Sequence, residues 1–295
     1  MKVRERQDIP QRSGLQKKVV FVTASNAKYR DVCKYNAYCA HHYGKFDKVV
    51  VYDVDTQIDE SYRRKYSQIL NKNRGAGLWL WKIYFIEKAF REECKEGDVL
   101  FYADAASFFF RSVRPVIEKM KSDIFAVNLP FIEEEFTKNE TFELMGLTDE
   151  VYKKSRQFHA SFMAFRKNEN TIKFIAEWKK YCEDIRLLSQ DVCFGEQISS
   201  FVAHRNDQSI FSLLCKKYGV RAYEDPSQYG ITGYGNYRCH SYLPVKATTV
   251  YPFCIMLHKQ REWNSKEKLK CWLRIYKRFA MIAFRVLSLK NDVFV

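Results

Sequence analysis

Short apolar runs alternate with amphipathic segments along the first third of the chain. Three continuous runs predict buried strands at 17–23 (KKVVFVT), 46–53 (FDKVVVYD) and 99–103 (VLFYA). Between them, helical patterns cover about 29–42, 59–70 and 78–94, with a glycine turn before the last. Strands that are apolar throughout and alternate with helices are typical of a parallel sheet covered on both faces. The pattern therefore predicts an α/β fold.

The second half of the chain continues this alternation less regularly. Further strands are predicted at 124–127, 161–166 and 219–223, and helices at 171–182 and 208–218. The segment 228–242 is rich in Gly and Tyr and predicts an irregular loop. We expect a polar N-terminal arm at 1–16, one α/β domain at 17–262 and a basic amphipathic helical tail at 263–295.

Composition and charge narrow the class of protein. With 23 Phe, 19 Tyr and 5 Trp against 11 Gly and 6 Pro, the 295 residues suit a folded protein with a large core. The net charge is +15, and from Lys259 to Val295 ten Lys and Arg face three acidic residues, a surplus of +7. A basic tail indicates an anionic partner such as a membrane, a nucleic acid or a phosphorylated ligand. The alternative is an ordinary soluble basic surface.

The tail itself allows two interpretations. Its apolar run 279–284 (FAMIAF) is too short to span a bilayer. Trp272, Tyr276 and Phe279 among Lys and Arg suit a helix that lies in an anionic membrane interface. The alternative is a helix that closes the core of the domain.

The nine cysteines are scattered without a CxxC pair, and no signal peptide is recognisable. Both observations favour a reducing cytoplasm over a disulfide framework, and zinc binding is not expected.

Polar residues at strand and helix ends are the candidates for chemistry. Asp104 follows the strand 99–103 directly, and open α/β sheets place their ligand crevice at this edge. Lys82 lies near the start of a helix, where an ammonium group suits a diphosphate. Asp207 opens another helix. The alternatives are a turn aspartate for Asp104 and an N-cap for Asp207.

Four separated blocks resemble motifs of bacterial capsular and lipopolysaccharide glycosyltransferases: GAGLWLWK, YADAAS, QFHASFMAFRKNE and HRNDQSIFSLL. The resemblance covers about 18–260. It implies a GT-A (Rossmann-like) fold, with a mostly parallel sheet flanked by helices, and a nucleotide-sugar donor. Asp104 matches the aspartate of the family's DxD motif, which holds a divalent cation. Here Ala105 and Ala106 replace the rest of that motif, so metal dependence stays open.

The resemblance also implies roles for individual residues. The metal ligands would be Asp104 and His258, with His240 as the competitor of His258, and the ion would be Mn²⁺ or Mg²⁺. Asp207 would be the general base of an inverting reaction. In a retaining reaction Asp207 or Gln208 would stabilise the transition state. The donor and its nucleotide would be bound by Thr23, Ala24, Ser25, Tyr29, Asp53, Lys82, Asp104, Ala105 and Ala106. The acceptor or sugar pocket would comprise Gly75, Gly77, Trp79, Trp81 and His204, although core packing for a Trp and a turn or helix start for the glycines remain alternatives.

We therefore expect a cytoplasmic glycosyltransferase, peripheral on the inner face of a membrane, that acts in surface polysaccharide synthesis. Its donor would be UDP-linked and its acceptor a glycan or lipid-linked saccharide, with no nucleic acid as partner. The alternatives are a nucleic-acid- or anionic-membrane-binding module and a catalytically silent glycosyltransferase relative.

Overall fold

The computed structural model describes residues 17–191, 195–232, 239, 241, 243, 250–258, 260–261 and 263–291. The strands of this part are β1 (Val19–Ser25), β2 (Lys48–Asp53), β3 (Val99–Ala103), β4 (Ser107–Phe109), β5 (Ile124–Phe125), β6 (Asn128–Ile132), β7 (Arg156–Phe158), β8 (Phe162–Arg166) and β9 (Ile255–Leu257). Its helices are α1 (Arg30–Cys39), α2 (Glu60–Lys65), α3 (Ser67–Leu70), α4 (Gly75–Leu78), α5 (Leu80–Glu93), α6 (Arg114–Glu118), α7 (Glu133–Phe136), α8 (Asn139–Met145), α9 (Glu150–Lys153), α10 (Glu169–Cys182), α11 (Ile185–Leu188), α12 (Asp207–Lys217), α13 (Tyr229–Thr232) and α14 (Ser265–Asn291).

The central sheet has the strand order β2-β1-β3-β8-β5 and is mixed. β1 pairs in parallel with β2 and β3, whereas β8 runs antiparallel to both β3 and β5. The predicted α/β class is confirmed, but the sheet is mixed rather than mostly parallel, since two of its four described strand pairings are antiparallel. The start of β8 therefore lies beside the end of β3, where Asp104 N donates to Ser161 O at 2.8 Å.

Side chains alternate across the sheet and build two cores. Val20 and Val22 face the cluster formed with helices α5, α10 and α12, while Val19 and Phe21 face the cluster formed with β9 and α6. Because both faces are covered, β1 and β3 are mostly apolar, as the sequence indicated, with Thr23 and Ser25 as the polar residues of β1. The carboxyl ends of β1, β2 and β3 and the start of β8 therefore meet at one edge.

Two smaller pieces of structure differ from the sequence expectation. The segment 219–223 does not form a strand: only Tyr223 makes an isolated bridge, to Val127. The predicted loop 228–242 begins with the helical turn α13, and most of its remainder lies outside the described residues, as do the N-terminal arm and His240. Each described cysteine is a free thiol, and all but Cys239 are buried.

Helix α14 packs on the domain through its first half. Cys271 and Ile275 are buried in a cluster with Phe108, Phe110 and Phe253. This contact favours the interpretation in which the tail closes the core, and the domain boundary at 262 stays a prediction. No helix in the described ranges is both long and apolar enough to cross a membrane.

Candidate functional site

Three charged side chains from distant parts of the chain meet at the carboxyl edge of the sheet. The ammonium of Lys82, in the first turn of α5, lies 2.7 Å from Asp207 Oδ2 and 3.4 Å from Asp104 Oδ1. It also donates to the carbonyl oxygen of Ala160 at 3.0 Å. Lys82 is 3% exposed, so its three N–H groups are directed at these oxygens rather than at solvent.

The electrostatics of this triad follow from its burial. Burial alone would lower the pKa of Lys82, but the negative charges of Asp104 and Asp207 outweigh it and raise the pKa. Burial raises the pKa of Asp207 to about 6, although Lys82 acts in the opposite direction. Asp207 therefore titrates close to neutral pH, where a carboxylate that accepts a proton is useful.

Hydrogen bonds to both the side chain and the backbone carbonyl hold Asp104 in place. Its Oδ1 accepts from the Tyr102 hydroxyl at 2.9 Å, and its backbone carbonyl accepts from Ser107 Oγ at 2.7 Å and from Asn36 Nδ2 at 3.2 Å. Its side chain remains about a third exposed, 31%. Asp104 is therefore a fixed carboxylate that a ligand can reach. Ala105 is buried against Val32 and Cys33.

The glycine motif before α5 forms a left-handed turn. Five successive residues have positive φ: Gly75 at 58°, Ala76 at 51°, Gly77 at 97°, Leu78 at 53° and Trp79 at 63°. A Cβ on Gly77 would lie 2.8 Å from Leu70 Cα, so this position requires glycine. The turn sets where α5 begins, and therefore where Lys82 points.

The two tryptophans of this motif have different surroundings. Trp81 is buried in the core, and its Nε1 donates to Gly75 O at 2.8 Å. Trp79 is half-buried, with the Arg74 guanidinium 5.7 Å from its ring centroid. Trp81 therefore stabilises the turn, and Trp79 is the tryptophan that retains an exposed face for a ligand.

The segment before α12 is also unusual in its backbone. Asn206 has φ 50° and ψ −122°, outside the regions that a side-chain-bearing residue normally adopts, and its Nδ2 donates to Leu188 O at 2.7 Å. Such strain persists only where surrounding contacts enforce it, and it is frequent at functional sites. It places Asp207 at the first position of α12, beside Lys82.

His204 lies behind this segment. The ring is fully buried, and its Nε2 faces the Leu187 carbonyl oxygen at 2.8 Å. Burial lowers the pKa of His204 to about 3, so the ring is neutral. The contact fits a neutral ring that donates from Nε2, which anchors the loop, and the acceptor role of His204 stays a prediction.

Gln208, next to Asp207, is linked to the triad through Ala160. Its Oε1 accepts from Ala160 N at 3.3 Å, and the carbonyl of the same residue receives Lys82. Its Nε2 donates to the buried Gln157 at 2.8 Å. Both predicted catalytic residues thus lie at the same edge as Asp104.

At the ends of β1 and β2, short polar contacts connect the residues predicted to surround the nucleotide. Arg30 lies 3.3 Å from Asp53, and Asp55 Oδ2 accepts from Ala27 N at 2.8 Å. Tyr29 accepts from the Arg261 guanidinium at 3.1 Å. Thr23, Ala24 and Ser25 are all buried in β1, and Ser25 is the last residue of this strand.

His258 reaches the same edge from the C-terminal part of the chain. Its backbone N donates to Ala106 O at 3.0 Å, and its ring stacks on Trp263 at 4.3 Å. Burial lowers the pKa of His258 to about 4, so the imidazole is neutral. Its Nε2 is buried and has no hydrogen-bond partner among the described residues.

His258 Nδ1 accepts from Gln260 N at 3.0 Å, so the proton of the neutral ring lies on Nε2, and Nε2 offers no lone pair to a metal in this tautomer. Within the described ranges, no cluster of three or more His, Cys, Asp or Glu side chains could hold an ion alone. Asp104 would therefore supply at most part of a coordination shell, which a diphosphate and water would complete, and the ligand role of His258 stays a prediction. This composition fits Mg²⁺ or Mn²⁺ bound together with a substrate phosphate.

Several residues of the site were not identified from the sequence. Tyr102 and Ala160 contact the triad directly, and Gln157 contacts Gln208. Tyr102 lies in the strand and was interpreted only as apolar. The alternation of side chains along β3 does not show that its hydroxyl reaches past the strand end to Asp104.

No protein-family model and no curated protein sequence matches the chain. Among solved structures, mouse xyloside xylosyltransferase 1 in its apo form is similar, with 10% identity, a TM-score of 0.43 and coverage of 82% of this chain and 97% of that one. The galactosyltransferase LgtC, in complex with donor and acceptor sugar analogues, gives 16% identity, a TM-score of 0.42 and coverage of 90% and 95%. GlyE of Streptococcus pneumoniae TIGR4, a glycosyltransferase in its apo form, gives 16%, 0.38, and coverage of 71% and 46%. Each of these structures is similar to this chain at low sequence identity and with a TM-score below 0.5.

Proposed function

We propose that the protein is a glycosyltransferase that moves a sugar from a UDP-linked donor to a glycan or lipid-linked saccharide in surface polysaccharide synthesis. One observation carries this proposal: each of the four sequence blocks that resemble glycosyltransferase motifs contributes to the same site. Lys82, Asp104, Ala160 and Asp207 come from the four blocks in order, and direct contacts join them. A chance resemblance gives no reason for such convergence.

In the proposed reaction the bond between the anomeric carbon and the diphosphate oxygen breaks, and its electron pair leaves with the nucleoside diphosphate. The acceptor hydroxyl oxygen forms the new bond to carbon. If the configuration inverts, Asp207 takes the hydroxyl proton, for which its pKa of about 6 is suited. If the configuration is retained, the carboxamide oxygen of Gln208 or the carboxylate of Asp207 offsets positive charge on the sugar, and the departing diphosphate oxygen takes the hydroxyl proton.

For Lys82 we propose a different role from the diphosphate binding that its position in the sequence suggested. Its ammonium is directed at Asp104, Asp207 and Ala160, so it is not available to a diphosphate without losing one of them. We assign Lys82 to holding the two carboxylates close together. A divalent cation at Asp104 would, when bound, instead offset the charge of the departing diphosphate.

The donor nucleotide would lie over the ends of β1 and β2, near Ser25, Tyr29 and Asp53. Trp79 offers its half-exposed face to the sugar or the acceptor. A cytoplasmic location at the inner face of a membrane remains part of the proposal. It is supported by three apolar side chains of α14 that are more than half exposed on a helix rich in Lys and Arg: Leu269, Leu273 and Tyr276.

The direct test is thermal unfolding with UDP, GDP, CMP and dTDP, each with and without Mn²⁺. A ligand that binds only the folded state raises the melting temperature by mass action. Stabilisation by UDP, with a further gain from Mn²⁺ that Asp104→Asn removes, is the expected result. The control is the variant Lys173→Met with Mn²⁺, because Lys173 is exposed and pairs only with Glu169 among the ion pairs described. A flat response to all four nucleotides would contradict the proposal and favour a catalytically silent relative.

A further inference from the structure

A buried polar network lies behind Gln208 and is not used by the chemistry described above. It is centred on Glu133, which is fully buried at the start of α7. The carboxylate receives Thr137 Oγ1 at 2.6 Å and Gln157 Nε2 at 3.0 Å. It also contacts Ser212 and Lys216, one and two turns along α12 from Gln208.

We propose that Glu133 and Gln157 are positioning residues that fix the orientation of the Gln208 carboxamide, so that its oxygen faces the Lys82 side of the site. This inference rests on the proposed function for its catalytic consequence. The hydrogen-bond orientation itself is independent of that function.

The orientation is determined from both ends of the network. Glu133 and the carbonyl of Phe136 can only accept, so Gln157 must direct its NH₂ group towards them. Gln157 then presents its oxygen to Gln208, which must donate. At the other end, Ala160 N can only donate, so Gln208 must present its oxygen there. The two requirements agree, and a flipped amide at either glutamine would bring like groups together.

Glu133 forms an ion pair with Lys216. Glu133 and the Lys216 ammonium are in direct contact, and the lysine side chain is about nine-tenths buried, with 9% exposed. Burial lowers the pKa of Lys216, whereas the adjacent carboxylate raises it. A charged acceptor makes the hydrogen bond from Gln157 stronger than one to a neutral acceptor. The orientation of Gln157 that this bond favours in turn favours the orientation in which Gln208 donates to Gln157.

The consequence is a preorganised oxygen dipole. Gln208 is half-buried, and its oxygen lies beside Ala160, the residue whose carbonyl receives Lys82. Fixed dipoles aimed at developing charge cost no reorganisation when the reaction occurs. A reversed amide would present N–H groups where positive charge develops on the sugar.

The test is a double-mutant cycle between Gln157→Leu and Gln208→Ala. Gln157→Leu should lower kcat for donor hydrolysis or transfer by about 10–100-fold, the scale expected for a misplaced reactive group. The Kd for UDP should change less than about threefold. In the Gln208→Ala background the same change should have little further effect, because the residue that it positions is gone.

Thr171→Val provides the stability control. Thr171 is buried in the capping box of α10 and has no link to Gln208, so this variant should lose stability but keep kcat. Equal losses of kcat in Gln157→Leu and Thr171→Val, or additive effects in the cycle, would overturn the inference.

A second readout separates this inference from the proposed function. The side-chain amide signals of Gln208, assigned in ¹⁵N–¹H spectra by their loss in Gln208→Ala, should shift in Gln157→Leu and in Glu133→Gln/Lys216→Met. Those of Gln228, which is bonded to the Leu257 backbone, should not move. If wild type neither hydrolyses a nucleotide sugar nor transfers from one, the proposed function fails, and the spectra alone decide the orientation. Unchanged Gln208 signals in both variants would refute it.

Discussion

The substitution Lys82→Met removes the cation that holds two carboxylates together. In the wild type, the Lys82 ammonium lies within 2.7 Å of Asp207 and 3.4 Å of Asp104. Methionine keeps the length of the side chain but leaves Asp207 buried without its partner. Breaking a buried pair from one side costs about 3–5 kcal/mol. For a chain of this size, that corresponds to a fall in melting temperature of roughly 6–20 °C.

The loss of stability in Lys82→Met should depend on pH. Burial raises the pKa of Asp207 from its usual 3.8 to about 6. Between these two pH values, Asp207 is therefore protonated in the folded wild type and ionised in the unfolded chain. The stability from this group is complete below about pH 4 and is lost as pH rises through 6. Without Lys82, which lowers the pKa of Asp207, that pKa rises further. The variant should therefore differ little from wild type at pH 5 and most at pH 8.

The assay is thermal unfolding of both proteins at pH 5 and pH 8. Lys173→Met is the matched control, because Lys173 forms an exposed pair with Glu169 and should cost at most about 0.5 kcal/mol. Adding Asp207→Asn to Lys82→Met should recover part of the loss at pH 8. A shift at pH 8 within about 2 °C of the control, or the same shift at both pH values, would refute the reasoning.

Three further predictions concern activity, the turn and the tail. Asp207→Asn should lower transfer by about 10²–10⁴-fold without changing UDP binding, and a loss below about tenfold would leave Asp207 only a structural role. Gly77→Ala should cost about 1–3 kcal/mol in urea unfolding, since φ is +97° and Leu70 Cα is close, whereas Gly219→Ala, with φ +63° and open space, should cost about 1 kcal/mol. Equal costs would contradict the steric part of this argument. Deletion of residues 263–295 should expose Phe108 and lower the melting temperature or cause aggregation, and a fully stable truncated protein would show that α14 is not part of the core.

The sequence predicts the parts of this fold whose signal is local. β1 and β3 are mostly apolar because both faces of the sheet are covered, and that pattern is visible in the sequence. β6 was not predicted, and it contains Pro130, which argues against a strand. β4 and β9 pair across a long stretch of chain and are only three residues each, so no local pattern marks them.

In the candidate site, too, local features could be predicted from the sequence and contacts between distant segments could not. Asp104 was identified because a carboxylate at the end of a buried strand is a local feature. The contact between Lys82 and Asp207 spans 125 positions and depends on how α5 and α12 pack, which a single sequence does not reveal. Glu133 was not identified at all, since one acidic residue in an acidic run looks like a solvated surface.

The order of strands in the sheet has a consequence for synthesis on the ribosome. β8 lies between β3 and β5, although it follows both in the chain. One edge of β3 therefore stays unpaired until residues 162–166 have been synthesised, about 60 positions later. Synthesis of this stretch takes roughly 3–12 s at usual elongation rates. During that interval a wholly apolar strand has an unpaired edge, a known route to aggregation. The nascent chain should therefore depend most on chaperones between the emergence of β3 and that of β8.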